Sequence, residues 1–167
     1  FVRQWSAFIN SPKLKVLCAD EGLEAVFLMH PRFAQHSHYF NIPEWMTIAS
    51  YQDDVASLIA AARVAVTDYS SQAFEAAFVN APTVYFQFDK EEFFGGGHSS
   101  QLGGYDHARQ GFGPVETSAD SAAEATVHLA RGIHSHQDEY RSRIESLYRF
   151  RDSQASARVT LAIENLS

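Results

Sequence analysis

Cysteine is almost missing from this chain, and its scarcity narrows the field at once. Cys18 is the single thiol, set between Leu17 and Ala19 in a segment of helical spacing, so no disulfide framework can form and a thiolate metal site has no second sulfur. Such usage fits a reducing compartment, and a cytoplasmic location is the expectation. Basic charge is scarce as well: thirteen Lys and Arg against twenty Asp and Glu leave a formal net charge of -7. Proteins that grip nucleic acid by its backbone cluster cations against the phosphates, so a nucleic-acid partner is excluded and any phosphate site has to be local. Long apolar runs are missing too. No stretch approaches the roughly 18 to 20 residues that a membrane-crossing helix needs, and no basic, apolar, small-residue leader pattern opens the chain. It begins on Phe1 and not on Met, which reads as a piece of a longer polypeptide with part of the function upstream.

What is present is a folding sequence. A hydrophobic content of 46%, with thirteen Phe and seven Tyr, supplies enough apolar surface to offset chain entropy, which excludes disorder. The 167 residues match one ordinary domain, 1–167.

Apolar periodicity predicts alternating helices and strands. Residues 4–10 read as a short helix. Ser11-Pro12 then supplies an N-cap and a Pro at the first helical position, Leu14, Leu17 and Cys18 share a face, and Gly22 ends the helix. The apolar run 25–29 lies between Gly22 and Pro31, as expected of a strand buried on both faces of a parallel sheet, with His30 at its C-terminal end. A second strand is expected at 46–49. A helix capped by Asp53 or Asp54 follows, its Val55, Leu58, Ile59 and Ala62 stripe facing the sheet. Next come a strand at 64–67, a helix at 71–79, the stop Asn80-Ala81-Pro82 and a strand at 83–87. Alternation of this kind implies parallel strands, hence an α/β fold with helices on both faces of a Rossmann-like sheet. Residues 91–113, rich in Gly, read as a long ligand-facing loop. Three helices are expected at 120–131, 137–148 and 153–166, and the stripes Phe74, Ala77, Phe78 and Val159, Ala162, Ile163 are read as core.

The most informative segment is Val64-Ala65-Val66-Thr67-Asp68-Tyr69-Ser70-Ser71, a strand that turns through hydroxyl residues straight into a helix. The first N–H groups of a helix lack intrahelical partners and the macrodipole is positive there, so phosphate oxygens can bind without Lys or Arg. Ser70 and Ser71 add hydroxyl donors. The plainer alternative is that these residues only cap the helix.

Thr67-Asp68-Tyr69-Ser70-Ser71, followed by Phe74, Pro82, Tyr85-Phe86-Gln87-Phe88-Asp89 and Glu92, resembles the signature of the CDP-glycerol glycerophosphotransferase family. Met29-His30-Pro31, Gly111-Phe112-Gly113-Pro114-Val115, and Asp152 with Ser156 and Arg158 fall in the family's order, so the likeness covers nearly the whole chain. The resemblance implies the C-terminal, donor-binding half of a GT-B fold, acting in teichoic-acid or related polymer synthesis. It implies CDP-glycerol or a similar nucleotide-activated donor, and a polymer- or lipid-linked acceptor held by a missing N-terminal domain. It also implies a sheet strand just before Phe1, carrying an Arg that helps hold the nucleotide. Within this chain, Thr67, Ser70 and Ser71 are the implied phosphate contacts. No cofactor or metal is implied.

Two places depart from the family pattern. Tyr105-Asp106-His107-Ala108-Arg109-Gln110 keeps Asp106 and Arg109 but loses two acids that many relatives carry, which bears on the glycerol or ribose end of the donor. Glu75 stands where Asp is more usual, pointing toward a ribose or toward solvent.

His30 is the candidate catalytic group, because open α/β sheets bind ligands beyond the C-terminal ends of their strands. It would donate a hydrogen bond or proton to a donor phosphate oxygen as CMP departs. The alternative is a strand-end His packed under the next loop. The base is assigned to a His on the other domain. His36 and His38 lack a third ligand at characteristic spacing, and His134 and His136 read as exposed. Arg141, Arg143, Arg149 and Arg151 form either a solvated helix face or a peripheral contact with anionic lipid on the inner face of the membrane. Other readings stay open: a GT-B glycosyltransferase or polyol-phosphate transferase with a different donor, or a non-catalytic binding domain of the same fold.

Overall fold

The computed structural model describes residues 1–97, 105–133 and 137–166. The chain runs α1 (Val2–Ile9), α2 (Pro12–Glu21), β1 (Ala25–Leu28), a 3₁₀ stretch (Pro31–Tyr39), β2 (Met46–Ala49), α3 (Val55–Ala61), β3 (Ala65–Thr67), α4 (Gln72–Phe78) and β4 (Thr83–Phe86). It continues through α5 (Lys90–Glu92), a π-helical turn (Phe93–Gly97), α6 (His107–Gln110), β5 (Val115–Glu116), α7 (Ala119–Ala130), α8 (Gln137–Leu147) and α9 (Ala155–Glu164).

Local chemistry accounts for most of these boundaries. Ser11 is the N-cap of α2 with extended backbone and Pro12 follows at its start, although the Ser11 side chain makes no capping bond. Gly22 closes the same helix at φ 62°, a left-handed conformation that costs glycine nothing, and the helix end is satisfied through Cys18 O. Asp54 caps α3 by accepting from the Ser57 N–H at 3.1 Å.

All strand pairs are parallel, as expected of a Rossmann-like α/β fold. They form two sheets, β1-β2 and β3-β4-β5, with no pairing between β1 and β3. Strand β5 is only two residues long, too short to leave a periodic signal in the sequence.

Strand β4 is the axis of the core and is buried at every position. Its side chains alternate between two faces. Val84 and Phe86 meet Trp5, Phe8 and Ile9 of α1, Leu14 of α2, and Ala122, Ala123 and Leu129 of α7. Tyr85 points the other way, into Ala73 and Ala77 of α4, Phe112, and Ile144 of α8. Helices therefore cover both faces of β4. Burying Phe86, whose ring lies 5.3 Å from Trp5 and 5.6 Å from Phe8, contributes about 1.5–3 kcal/mol.

Five expectations are corrected. Strand β1 is not buried on both faces: Val26 and its register partner Thr47 lie exposed, while Phe27 and Met46 reach the core from the other face. The α3 stripe is only half-buried. The α9 stripe is not core at all, with Val159 58% and Ile163 62% exposed, because periodicity fixes which side chains share a face and not what packs on it. In the other stripe Ala77 is fully buried, but Phe78 is exposed and meets the Tyr148 ring edge-on. Finally, the segment read as an open loop carries α5, the π-helical turn and α6; residues 98–104 lie outside the described residues.

Candidate functional site

The C-terminal ends of β1, β2, β3 and β4 deliver the residues with chemical reach. His30 follows β1 and is exposed. Its carbonyl accepts from the Phe33 N–H at 2.8 Å, and its ring lies 6.4 Å from Phe33 and 6.1 Å from Tyr51.

Tyr51 follows β2 on a tight turn and was passed over by the sequence reading. Its hydroxyl accepts from Gln72 Nε2, at the start of α4, at 2.9 Å. Tyr51 thereby bridges the His30 strand end and the hydroxyl turn. Burial pushes its phenol up, the charges of Glu75 and Asp68 push the same way, and the Gln72 bond opposes them.

After β3 the chain turns through Asp68, Tyr69, Ser70 and Ser71. Thr67 closes the strand in register with Tyr85. Several amides of this turn already have protein partners. Tyr69 N–H donates to Asp68 Oδ1 at 2.7 Å, Gln72 N–H to Ser70 Oγ at 3.3 Å, Ala73 N–H to Ser70 O at 3.3 Å, and Phe74 N–H to Ser71 O at 2.9 Å. The Ser70 amide also faces the Asp68 carboxylate, so the free-amide picture gives way to the serine hydroxyls. Ser70 Oγ acts as an acceptor toward Gln72, which leaves its own proton to donate. Ser71 is the exposed N-cap of α4 and its side chain makes no capping bond.

The turn is held from below. Tyr69 Oη donates to Asp89 Oδ1 at 3.0 Å, and the Tyr69 ring stacks on Phe93 at 4.0 Å. Gln87 Nε2 donates to Asp68 O at 3.1 Å; Gln87 is 1% exposed and its Oε1 has no partner among the described residues. Burial raises the Asp68 carboxyl above the ordinary value, and the nearby Asp89 charge adds to that, against hydrogen bonds from the turn's amides.

Asp106 and Arg109 sit on the segment that overlies this turn. Asp106 is the N-cap of α6, accepting from Ala108 N–H at 3.0 Å, so its carboxylate is already engaged; Arg109 is exposed on the same helix. What brings the segment to the turn is His107, unremarked in sequence, whose ring lies 6.1 Å from Tyr69 and 5.0 Å from Tyr85. Burial pulls His107 below the ordinary imidazole value, helped by Lys90 and opposed by Asp106 and Asp68, so it is neutral near pH 7. Glu75 is exposed on the first turn of α4, on the face that also carries Gln72.

The Gly111-Phe112-Gly113-Pro114 stretch is locked against β4. A Cβ on Gly113 would overlap the Thr83 carbonyl, and one on Gly111 would overlap the His107 carbonyl. Phe112 N–H donates to Tyr85 Oη at 3.2 Å, and Arg143 Nη1 donates to Gly111 O at 2.8 Å. Among the described residues no three His, Cys, Asp or Glu side chains converge on a metal position. The His36 side chain, His98, His134 and His136 lie outside them.

A histidine, an exposed tyrosine and two serines follow the carboxyl ends of parallel strands in an α/β protein, the end at which sheets of this kind usually bind ligands. The chain belongs to the CDP-glycerol:poly(glycerophosphate) glycerophosphotransferase family, whose sequence pattern matches residues 3–165. It is 25% identical over 166 residues to the minor teichoic acid biosynthesis protein GgaB of Bacillus subtilis (strain 168), covering 99% of this chain and 18% of that protein. Its fold is similar to the structure of the wall teichoic acid polymerase TagF, with a TM-score of 0.58 at 20% identity, over 97% of this chain and 39% of that one. The chain thus spans a minor part of each relative.

Proposed function

We propose that this chain is the donor-binding unit of a glycerophosphotransferase, the C-terminal half of a GT-B pair, taking glycerol phosphate from CDP-glycerol and passing it to a polymer- or lipid-linked hydroxyl. The observation that carries this reading is the linkage of His30, Tyr51 and the Ser70-Ser71 turn at the strand ends of a chain whose residues 3–165 match the family. The diphosphate would lie across the Ser70 and Ser71 hydroxyls with Thr67 beneath, while the acceptor oxygen attacks the β-phosphorus and the bond to CMP breaks in line. His30 would hydrogen-bond or protonate the departing phosphate oxygen. Catalysis of this type is positioning and charge stabilisation more than covalent chemistry. The base that receives the acceptor proton, and the acceptor itself, are assigned to the other half of the pair.

Asp106, Arg109 and Glu75 are the proposed contacts for the glycerol or ribose ends, with Asp106 needing to give up its capping bond to serve. Among the described residues no helix is long and apolar enough to cross a membrane. Peripheral lipid contact would fall to Arg141 and Arg149. Arg143 is bound to Gly111 O and Glu139, and Arg151 Nη1 to Asn80 Oδ1.

The test is CMP release from CDP-glycerol by the intact protein. His30→Ala should slow turnover about a hundredfold, and near-normal turnover would refute the assigned role. Titration with CDP-glycerol, CDP-ribitol and UDP-sugars separates the glycerophosphotransferase from a relative with another donor.

A further inference from the structure

We infer that Tyr51 is the platform on which the nucleobase of the donor stacks, an assignment that rests on the donor-binding reading above. The ring is pinned at both ends. At the backbone, Ser50 N–H and Ser50 Oγ both donate to Asp53 Oδ2, at 2.7 and 3.0 Å, and Asp53 N–H returns to Ser50 O at 3.0 Å. Gln52 N–H donates to Ser50 Oγ at 3.2 Å, so the turn that carries Tyr51 is fully tied. At the other end Gln72 holds the hydroxyl. Side chains fixed so thoroughly are commonly buried, yet Tyr51 keeps 46% of its surface exposed. Ordering a long side chain on binding costs about 0.5–1.5 kcal/mol, and here the fold has already met that cost.

The surroundings assign this ring to the nucleoside end of a ligand. Glu75 and Asp68 are the charges that act on Tyr51, and both are acidic. An uncharged base can stack on the exposed ring without the cations or hydroxyl donors that a phosphate needs. Glu75 also offers an acceptor to ribose hydroxyls. The phosphate donors, Ser70 and Ser71, lie at the mouth of α4 just before Gln72, and His30 lies beside the ring at 6.1 Å. A nucleotide can thus set its base on Tyr51 and run its phosphates toward the serines and His30. Stacking on an aromatic side chain is worth about 1–3 kcal/mol per base, which is roughly tenfold or more in affinity.

The measurement is CMP affinity of the intact protein, with inorganic pyrophosphate as a probe that has no base. Tyr51→Leu should weaken CMP about tenfold or more, leave pyrophosphate unchanged and leave the melting temperature in place. Tyr51→Phe keeps the ring and should stay within about fivefold of the unaltered protein. Unchanged CMP affinity in Tyr51→Leu overturns the platform, as does equal weakening of CMP and pyrophosphate. In the first of those cases CMP still binds and the donor-binding reading stands. If the unaltered protein binds neither CMP nor CDP-glycerol, that reading falls and the platform falls with it.

Discussion

The Tyr69 hydroxyl donates to Asp89 Oδ1 at 3.0 Å, tying the turn after β3 to the residue that precedes α5. Two strand ends of one sheet are thus clamped by this bond, together with the Gln87 donation to Asp68 O, beside the two serines proposed to hold phosphate. Tyr69→Phe keeps the ring and its stack on Phe93 but removes the clamp. The expected result is a loss of about 0.5–1.5 kcal/mol in urea unfolding, together with weaker binding of CDP. Unchanged stability and unchanged CDP affinity would show the bond to be incidental.

Gly113 tolerates no side chain, because the added atom would fall on the Thr83 carbonyl of the most buried strand. Backbone on both sides leaves no room for relief. Gly113→Ala should cost about 3 kcal/mol or more, at the upper end for overpacked sites, read as a lowered urea midpoint. A loss below about 0.5 kcal/mol, the scale of neutral surface changes, would mean that β4 and the 111–114 stretch part more easily than their packing indicates.

Asp68 makes a pH prediction with a definite sign. Burial holds its folded carboxyl above the ordinary value of 3.8, so the folded chain keeps this proton when the unfolded chain has released it. Stability from this group therefore falls as pH climbs from 3.8 through the raised value, and the penalty is complete above it. Asp68→Asn removes the charge and retains an oxygen for the Tyr69 N–H. The variant should be at least as stable as the unaltered chain at pH 7, and the difference should close as pH falls below 3.8. A variant markedly less stable at pH 7 would contradict this.

Arg143 Nη1 donates to Gly111 O at 2.8 Å while Nη2 pairs with Glu139. The planar fork serves two acceptors at fixed angles, which an ammonium cannot copy. Arg143→Lys should lose about 1.5–3 kcal/mol, the range for hydrogen bonds to charged groups, and raise amide exchange in residues 105–113. Retention of both stability and exchange protection would assign the pairing to the surface.

Ile163→Ser probes the opposite case. Its site is 62% exposed on α9, so the substitution should move the urea midpoint by less than about 0.5 kcal/mol. A loss of several kcal/mol would restore the stripe to the core.

How much was legible in the sequence follows from how local each signal is. Pro12 and Gly22 announce the ends of α2 through their own backbone preferences, and the Asn80-Ala81-Pro82 stop announces the start of β4. His30 and the serine turn could be placed because strand ends are readable and ligands gather there. Tyr51 was hidden because its meaning lies in Gln72, 21 residues away, and no periodicity links the two. The occupation of the Tyr69 amide by Asp68 depends on a side-chain rotamer, which a pattern of residue types does not encode. The exposure of α9 depends on what covers it, which is information its own stripe does not hold.

The lack of pairing between β1 and β3 carries a practical consequence. Each strand ends its own ladder, so Val26 and Leu28 on one side and Val66 on the other turn backbone amides and carbonyls toward positions that no strand fills among the described residues. Such rows are templates for β-augmentation. Handled by itself, the polypeptide should recruit extended segments, its own copies included, at concentrations where a sheet without open borders would stay monomeric. A short peptide of β-branched residues added in excess should compete for the same borders and suppress that association.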